Sequence, residues 1–226
     1  MSVRLSARLE AVADQVLRGR PMADVGCDHA QLAGWLVQAG VVPRAIGSDL
    51  REGPLDQARA HLDEAGIEAV ELRRGSGLET LAPGEAATIA LAGMGGGLMI
   101  SLLEAKPDVA TDADRIVLQP NTAWPQVRMW LARRRAVLQH ETLCEDAGHV
   151  YLTLSFCLRE TGPDWSPADI ALGPRLRRDR PPVFERWLAA ERSRLAELRT
   201  TLAQQLGEAH PRVRALEAER DALHEP

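Results

Sequence analysis

The stretch "ADVGCDHA", residues 23–30, concentrates more chemistry than any other part of the chain. A short apolar run passes through Asp24 and breaks at Gly26. Asp28, followed by His29, then stands where a G-x-G-x-x-G phosphate turn would place its second glycine. Another acid, Asp49, closes the next apolar run 23 residues after Gly26, the spacing at which a carboxylate meets a ribose hydroxyl pair. That spacing suits any adenosine-containing cofactor, and Asp28 separates the candidates. A carboxylate at a helix start is favourable in itself, but it repels a pyrophosphate and welcomes a cation. S-adenosyl-L-methionine joins adenosine to a sulfonium and an ammonium without phosphate, so it fits this turn better than NAD or FAD. A plainer role for Asp28 is to cap the helix that follows, and the two roles are compatible.

A second cluster, "LAGMGGG" (91–97), ends a nearly continuous apolar run. Ligands of open α/β sheets lie beyond the carboxyl ends of the strands, near the point where strand order reverses. Residues 92–96 are therefore expected to offer bare backbone N–H and C=O groups to a flat base, although glycine-rich turns also arise from tight backbone alone. Gln119 and Asn121 carry donors and acceptors suited to a base edge, or they fix the turn around Pro120. His29 reads as a hydrogen-bonding residue in preference to a base. Asp146, His149 and Tyr151 either approach the target or form the polar rim of a hairpin. Trp35, Trp124 and Trp130 are candidates for base stacking or for the core. No His/Cys/acid cluster has metal-ligand spacing, and no Ser-His-Asp elbow occurs.

The elements that must position these residues follow from periodicity. "RLSARLEAVADQVL" has a helical stripe, and apolar runs at "PMADV", "RAIGSDL", "AVELRRG", "ATIALAG" and "RIVLQP" read as five strands separated by helices. Such alternation implies a parallel sheet with helices on both faces. "AVLQHETLCEDAGHVYLTLSFCL" adds two antiparallel strands joined around 146–148, so the fold class is α/β, a mostly parallel seven-stranded sheet. The texture changes near 160, and the expected domains are 1–160 and 161–226. In the second, "VFERWLAAERSRLAELRTTLAQQL" and "RVRALEAERDAL" form a helical hairpin with coiled-coil spacing.

Composition sets outer bounds. A net charge of −5 carries no global nucleic-acid signal, and the chain has 45% hydrophobic and 26% charged residues, those of a globular protein. No apolar run reaches the length of a membrane span. Three cysteines without paired spacing (Cys27, Cys144, Cys157) fit a reduced cytoplasm. Residues 174–200 hold eight arginines against four acids, beginning at Arg175, Arg177 and Arg178. This local excess is either a basic stripe for nucleic acid or a solvated helix face.

"ADVGCDHA", "GSGL" (75–78), "LAGMGG" and "LQPN" (118–121), in this order, resemble the bacterial tRNA (adenine(22)-N1)-methyltransferase family. "LSARL", "REGP", the "WL" at 130–131 and "FERWL" extend the likeness over nearly the whole length. The resemblance implies a Rossmann-like class I methyltransferase domain, a C-terminal coiled-coil hairpin, S-adenosyl-L-methionine as cofactor and tRNA as partner. It implies a cofactor site at Asp24, Gly26, Cys27, Asp28 and His29, continued by Asp49 and Leu50, by Gly75, Ser76 and Gly77, and by Ala92 and Gly93. It places the catalytic motif at Gly93, Met94 and Gly95, with Asp28 close by. Substrate contacts fall to Gln119, Asn121, Arg175, Arg177 and Arg178. Ser76 stands where the family often has an acid, and Gln31–Ala33 replace its Tyr-Leu-Pro. A cytoplasmic monomer or weak homodimer, without metal or membrane, completes the expectation.

Overall fold

The computed structural model describes residues 4–223. The chain divides into two compact units, Met1–Pro163 and Asp164–Pro226. The break lies three residues beyond the expected 160/161. The Gly162 amide donates to the Arg135 carbonyl at 2.6 Å, and Arg135 Nε donates back to the Gly162 carbonyl at 3.3 Å. These bonds keep 160–163 with the first unit.

The first unit runs α1 (Ala7–Ala13), β1 (Met22–Val25), α2 (Gln31–Gln38), β2 (Ala45–Asp49), α3 (Glu52–Ala65) and β3 (Val70–Arg74). It continues through β4 (Thr88–Gly95), α4 (Gly96–Ala105), α5 (Pro107–Asp112), β5 (Arg115–Thr122), α6 (Trp124–Arg133), β6 (Val137–Asp146) and β7 (His149–Cys157). Seven strands form one sheet in the order β3-β2-β1-β4-β5-β7-β6. The first five pair in parallel, while β7 is antiparallel to both β5 and β6. The chain builds outward from β1 to β3, then returns to place β4 on the other side of β1. The ends of β1 and β4 thus lie side by side where strand order reverses, the place where such sheets bind ligands.

Burial explains the apolar runs. Met22, Ala23 and Val25 of β1, Ile89 to Leu91 of β4 and Ile116 to Leu118 of β5 are buried, as parallel strands covered on both faces must be. Asp24 sits within that run and is buried too. The short helix α5 was not legible in the sequence, being less than two turns long.

The second unit contains α7 (Pro167–Leu172), α8 (Pro174–Asp179), α9 (Pro182–Leu206) and α10 (Pro211–Ala222). The hairpin is as expected, and α7 and α8 are additions that sequence periodicity does not reveal at six residues each. Ser166 and Asp169 form a reciprocal capping box at the start of α7. Phe184, Leu188 and Leu195 of α9 and Val213 of α10 are buried, whereas Leu198 is exposed.

One polar pair lies inside the first unit's core. Arg128 Nε of α6 donates to Glu141 Oε1 of β6 at 2.8 Å, and neither side chain is exposed. Removing one partner strands a buried charge, so Glu141→Leu is expected to cost about 3–5 kcal/mol of unfolding free energy. The double variant Arg128→Met, Glu141→Leu should cost less than the single one when both are measured by denaturant unfolding.

Candidate active site

The turn after β1 is tied to the end of β2 by one carbonyl. The amides of Gly26 and Cys27 both donate to the Ser48 C=O, at 2.8 and 2.9 Å. Gly26 has φ +75°, a backbone that favours glycine, and a Cβ there would meet the mobile end of Met94, with Cε at 2.8 Å. Beyond it the chain does not enter the helix at once. Asp28 and Ala30 both adopt left-handed backbone, at φ +51° and +54°, and α2 begins at Gln31 with Ala30 as its N-cap. The capping role for Asp28 is therefore corrected: its carboxylate caps nothing. It stands largely exposed, 3.5 Å from His29 Nε2, on strained backbone of the kind that clusters at functional sites.

Two further acids flank it. Asp24 is buried, and its carboxyl is pushed up to about 7, chiefly by burial and also by Asp28, against the lowering effect of a hydrogen bond from the Ala33 amide. Asp49 ends β2, accepts the Arg51 amide at 2.9 Å and has Arg51 Nε at 3.6 Å. Burial, with Asp24 and Asp49 adding to it, pushes the Cys27 thiol far up. Cys27 is a neutral wall of the site.

The end of β4 is built differently from the expectation. Pairing with β5 shifts register around Gly93, which has φ +76°, a bulge of the type that re-aims a strand beside an active site. The polar groups of Gly93 are not bare. Its amide donates to Gln119 Oε1 at 3.0 Å, and its carbonyl accepts from Asn121 Nδ2 at 2.8 Å. Gln119 Nε2 closes the ring by donating to Asn121 Oδ1 at 3.1 Å. Gln119 is fully buried. Its work is to hold Gly93, and the reading of Gln119 as a direct substrate contact gives way to that role. Asn121 shares it from a more exposed position.

A cleft of about 390 Å³ opens between these parts. Of the expected residues, Asp24, Gly26, Cys27, Asp28, His29, Asp49, Ala92, Gly93 and Met94 line it. Leu50, Gly75, Ser76, Gly77 and Gly95 do not line it. Leu50 is 64% exposed, and the Gly75 amide ties its turn to the Asp49 carbonyl at 3.0 Å. Arg8, Leu9 and Arg51 line the cleft without having been singled out, and Gln31 and Leu32, noted as departures from the family's Tyr-Leu-Pro, line it too. Arg8 gave no signal because the spacing of a helix's polar face does not reveal what it meets 111 residues later.

The basic stripe lies in the second unit and is largely matched by its own acids. Arg177 Nη1 contacts Asp169 at 2.7 Å and so belongs to the cap of α7. Arg178 pairs with Asp179 at 2.6 Å, both exposed, and Arg175 is half-buried. Among the described residues no group of three or more His, Cys, Asp and Glu could hold a metal ion, and no helix is long and apolar enough to cross a membrane.

The raised carboxyl of Asp24 has a definite pH signature. The native state keeps its proton up to about pH 7, whereas the unfolded chain loses it near 3.8. Its contribution to stability thus declines as pH rises from about 4 to 7. A cation bound in the cleft reverses the preference by favouring the carboxylate. Affinity for S-adenosylhomocysteine, whose ammonium is such a cation, should rise between pH 6 and 8 with proton release near pH 7. Calorimetry in buffers of different ionisation enthalpy checks this, and Asp24→Asn should abolish the proton release.

Comparison with known proteins follows the same lines. Residues 5–154 match the model of a methyltransferase domain family. The chain is 34% identical over 194 residues to the tRNA (adenine(22)-N(1))-methyltransferase of Bacillus subtilis, covering 82% of this chain and 80% of that one. It superposes on the crystal structure of a Bacillus subtilis tRNA methyltransferase with TM-score 0.86 and 29% identity, over 98% and 97% of the two chains. A Streptococcus pneumoniae protein in complex with S-adenosyl-L-methionine gives TM-score 0.86 at 29% identity, over 97% and 98%. The cleft, the sheet order and these likenesses agree, and the chain belongs to the tRNA (adenine(22)-N(1))-methyltransferase family.

Proposed function

We propose that this protein methylates N1 of an adenine, at position 22 of tRNA, with S-adenosyl-L-methionine as donor. The observation that carries the reading is a cleft whose β1–β2 side presents Asp24, Asp28 and Asp49 and whose turn lacks a phosphate-binding glycine at Asp28. Those carboxylates suit an adenosine-bearing ligand with two cationic groups, Asp49 taking its ribose and Asp24 and Asp28 its positive charge. When bound, the cofactor supplies an electrophilic methyl group.

The chain's own residues need only position and shield. Neutral adenine carries a free lone pair at N1, so no proton has to be removed before transfer. Orientation alone can supply roughly 7–11 kcal/mol of the barrier. The Gln119–Asn121 clamp fixes Gly93 and Met94 as the wall against which the base rests. Positive charge passes to the ring during transfer, and Asp28 stands exposed beside it to favour that charge. Because N1 lies on the pairing edge, the nucleotide must be unpaired or turned out of its helix. In the second unit the basic stripe holds the RNA backbone, with Arg175 and Arg178 as contacts and Arg178 exchanging its pairing with Asp179 for a phosphate. The protein works as a monomer or weak homodimer in the cytoplasm.

Incubation with a tRNA carrying adenine at position 22 should yield 1-methyladenosine on nucleoside analysis, and guanine at that position should abolish it. Equal transfer to both tRNAs, or to small amines, would overturn the assignment. Asp28→Asn should lower kcat about tenfold in the same assay. Reversing Arg175 and Arg178 to glutamate should raise the KM for tRNA about tenfold while cofactor affinity holds within twofold.

A further inference from the structure

Arg8 is a charged group of the cleft that the proposed reaction leaves unused. Three elements hold it. Nη1 donates to Gln119 Oε1 of β5 at 2.6 Å, the guanidinium carbon lies 5.8 Å from the Tyr151 ring centroid of β7, and the backbone amide donates to Asp146 Oδ2 of β6 at 3.1 Å. It approaches within 3.3 Å of the place a Cβ on Gly93 would occupy.

No carboxylate oxygen of the described residues lies within 4.0 Å of this guanidinium. That sets it apart from Arg73, which is held by Glu71 and Glu85, from Arg128 on Glu141, and from Arg51, its neighbour in the cleft, on Asp49. Asp146 acts on this half-buried guanidinium through its field and not as an ion pair, so an anion that meets the fork directly completes it. Of its five N–H donors, one is spent on Gln119. The cleft is therefore divided by charge, with three carboxylates at the β1–β2 end and Arg8 at the β4–β5 end.

The geometry points to Arg8 as an anion-holding residue of the cleft, aimed by Gln119 and Tyr151 at a carboxylate or phosphate of a bound ligand. This rests on the proposed methyl transfer, which brings two such groups: the carboxylate at the amino-acid end of the cofactor and the phosphate of the target nucleotide. The guanidinium fork suits either one.

Arg8→Met keeps the apolar stem and removes the fork, and Arg8→Lys keeps charge alone. Calorimetry with S-adenosylhomocysteine and with its decarboxylated analogue reads the first source. The salt dependence of tRNA binding reads the second. If the anion is the carboxylate, Arg8→Met weakens S-adenosylhomocysteine at least tenfold, leaves the decarboxylated analogue within twofold, and Arg8→Lys recovers part of the loss. If it is the phosphate, S-adenosylhomocysteine binding is unchanged and the slope of log K against log salt for tRNA falls by about one. Gln119→Leu, which removes the aim but not the charge, should reproduce whichever loss is seen. The proposal is overturned if both affinities and the salt slope stay at wild-type values, or if the decarboxylated analogue weakens as much as the parent. Failure of the methyl-transfer reading would appear separately, as absence of 1-methyladenosine with the wild-type protein.

Discussion

The parallel pairing of β1 with β4, which sets the turns after them side by side, is the constraint on which both halves of the cleft depend. Two turns from strands adjacent in the sheet, but far apart in sequence, meet where a Cβ on Gly26 would lie 2.8 Å from Met94 Cε. Each turn is fixed from its own side. The Ser48 carbonyl gathers the Gly26 and Cys27 amides, while Gln119 and Asn121 take up both polar groups of Gly93. A cleft with such fixed walls loses little freedom when a ligand enters, and that preorganisation favours tight, oriented binding.

The electrostatic layout follows from the same arrangement. Parallel strands buried on both faces leave polar residues few places except the carboxyl ends, and Asp24 is held just inside that limit. Its carboxyl sits at the balance point between burial and the fields around it. Asp28, on left-handed backbone, projects its charge into water and cleft alike. Arg8 supplies the opposite sign across the opening. The site thus sorts the charges of a ligand by direction before any chemistry begins.

The sheet was legible because each strand is a buried apolar run, and a buried parallel strand cannot hide its composition. The acids were legible because carboxylates at strand ends are out of place unless used. What escaped reading was contact across distance. Gln119 looked like a group offered to substrate, since its side chain has the right donors and acceptors. Only the bulge at Gly93 shows that those atoms are consumed within the fold. Asp28 looked like a cap because caps are inferred from position, and the left-handed turn through Ala30 displaced the helix start to Gln31. The arginine stripe likewise looked available until its acids were seen beside it.

Cys27 gives the site one more property. A sulfur atom at the wall of a cleft proposed to hold an alkylating cofactor is a hazard, because a thiolate is a strong nucleophile toward carbon. Here burial and two neighbouring acids keep the sulfur protonated. The carboxylates that welcome a cation thereby also passivate the wall, and the protein can hold a methyl donor beside its own sulfur without becoming the acceptor.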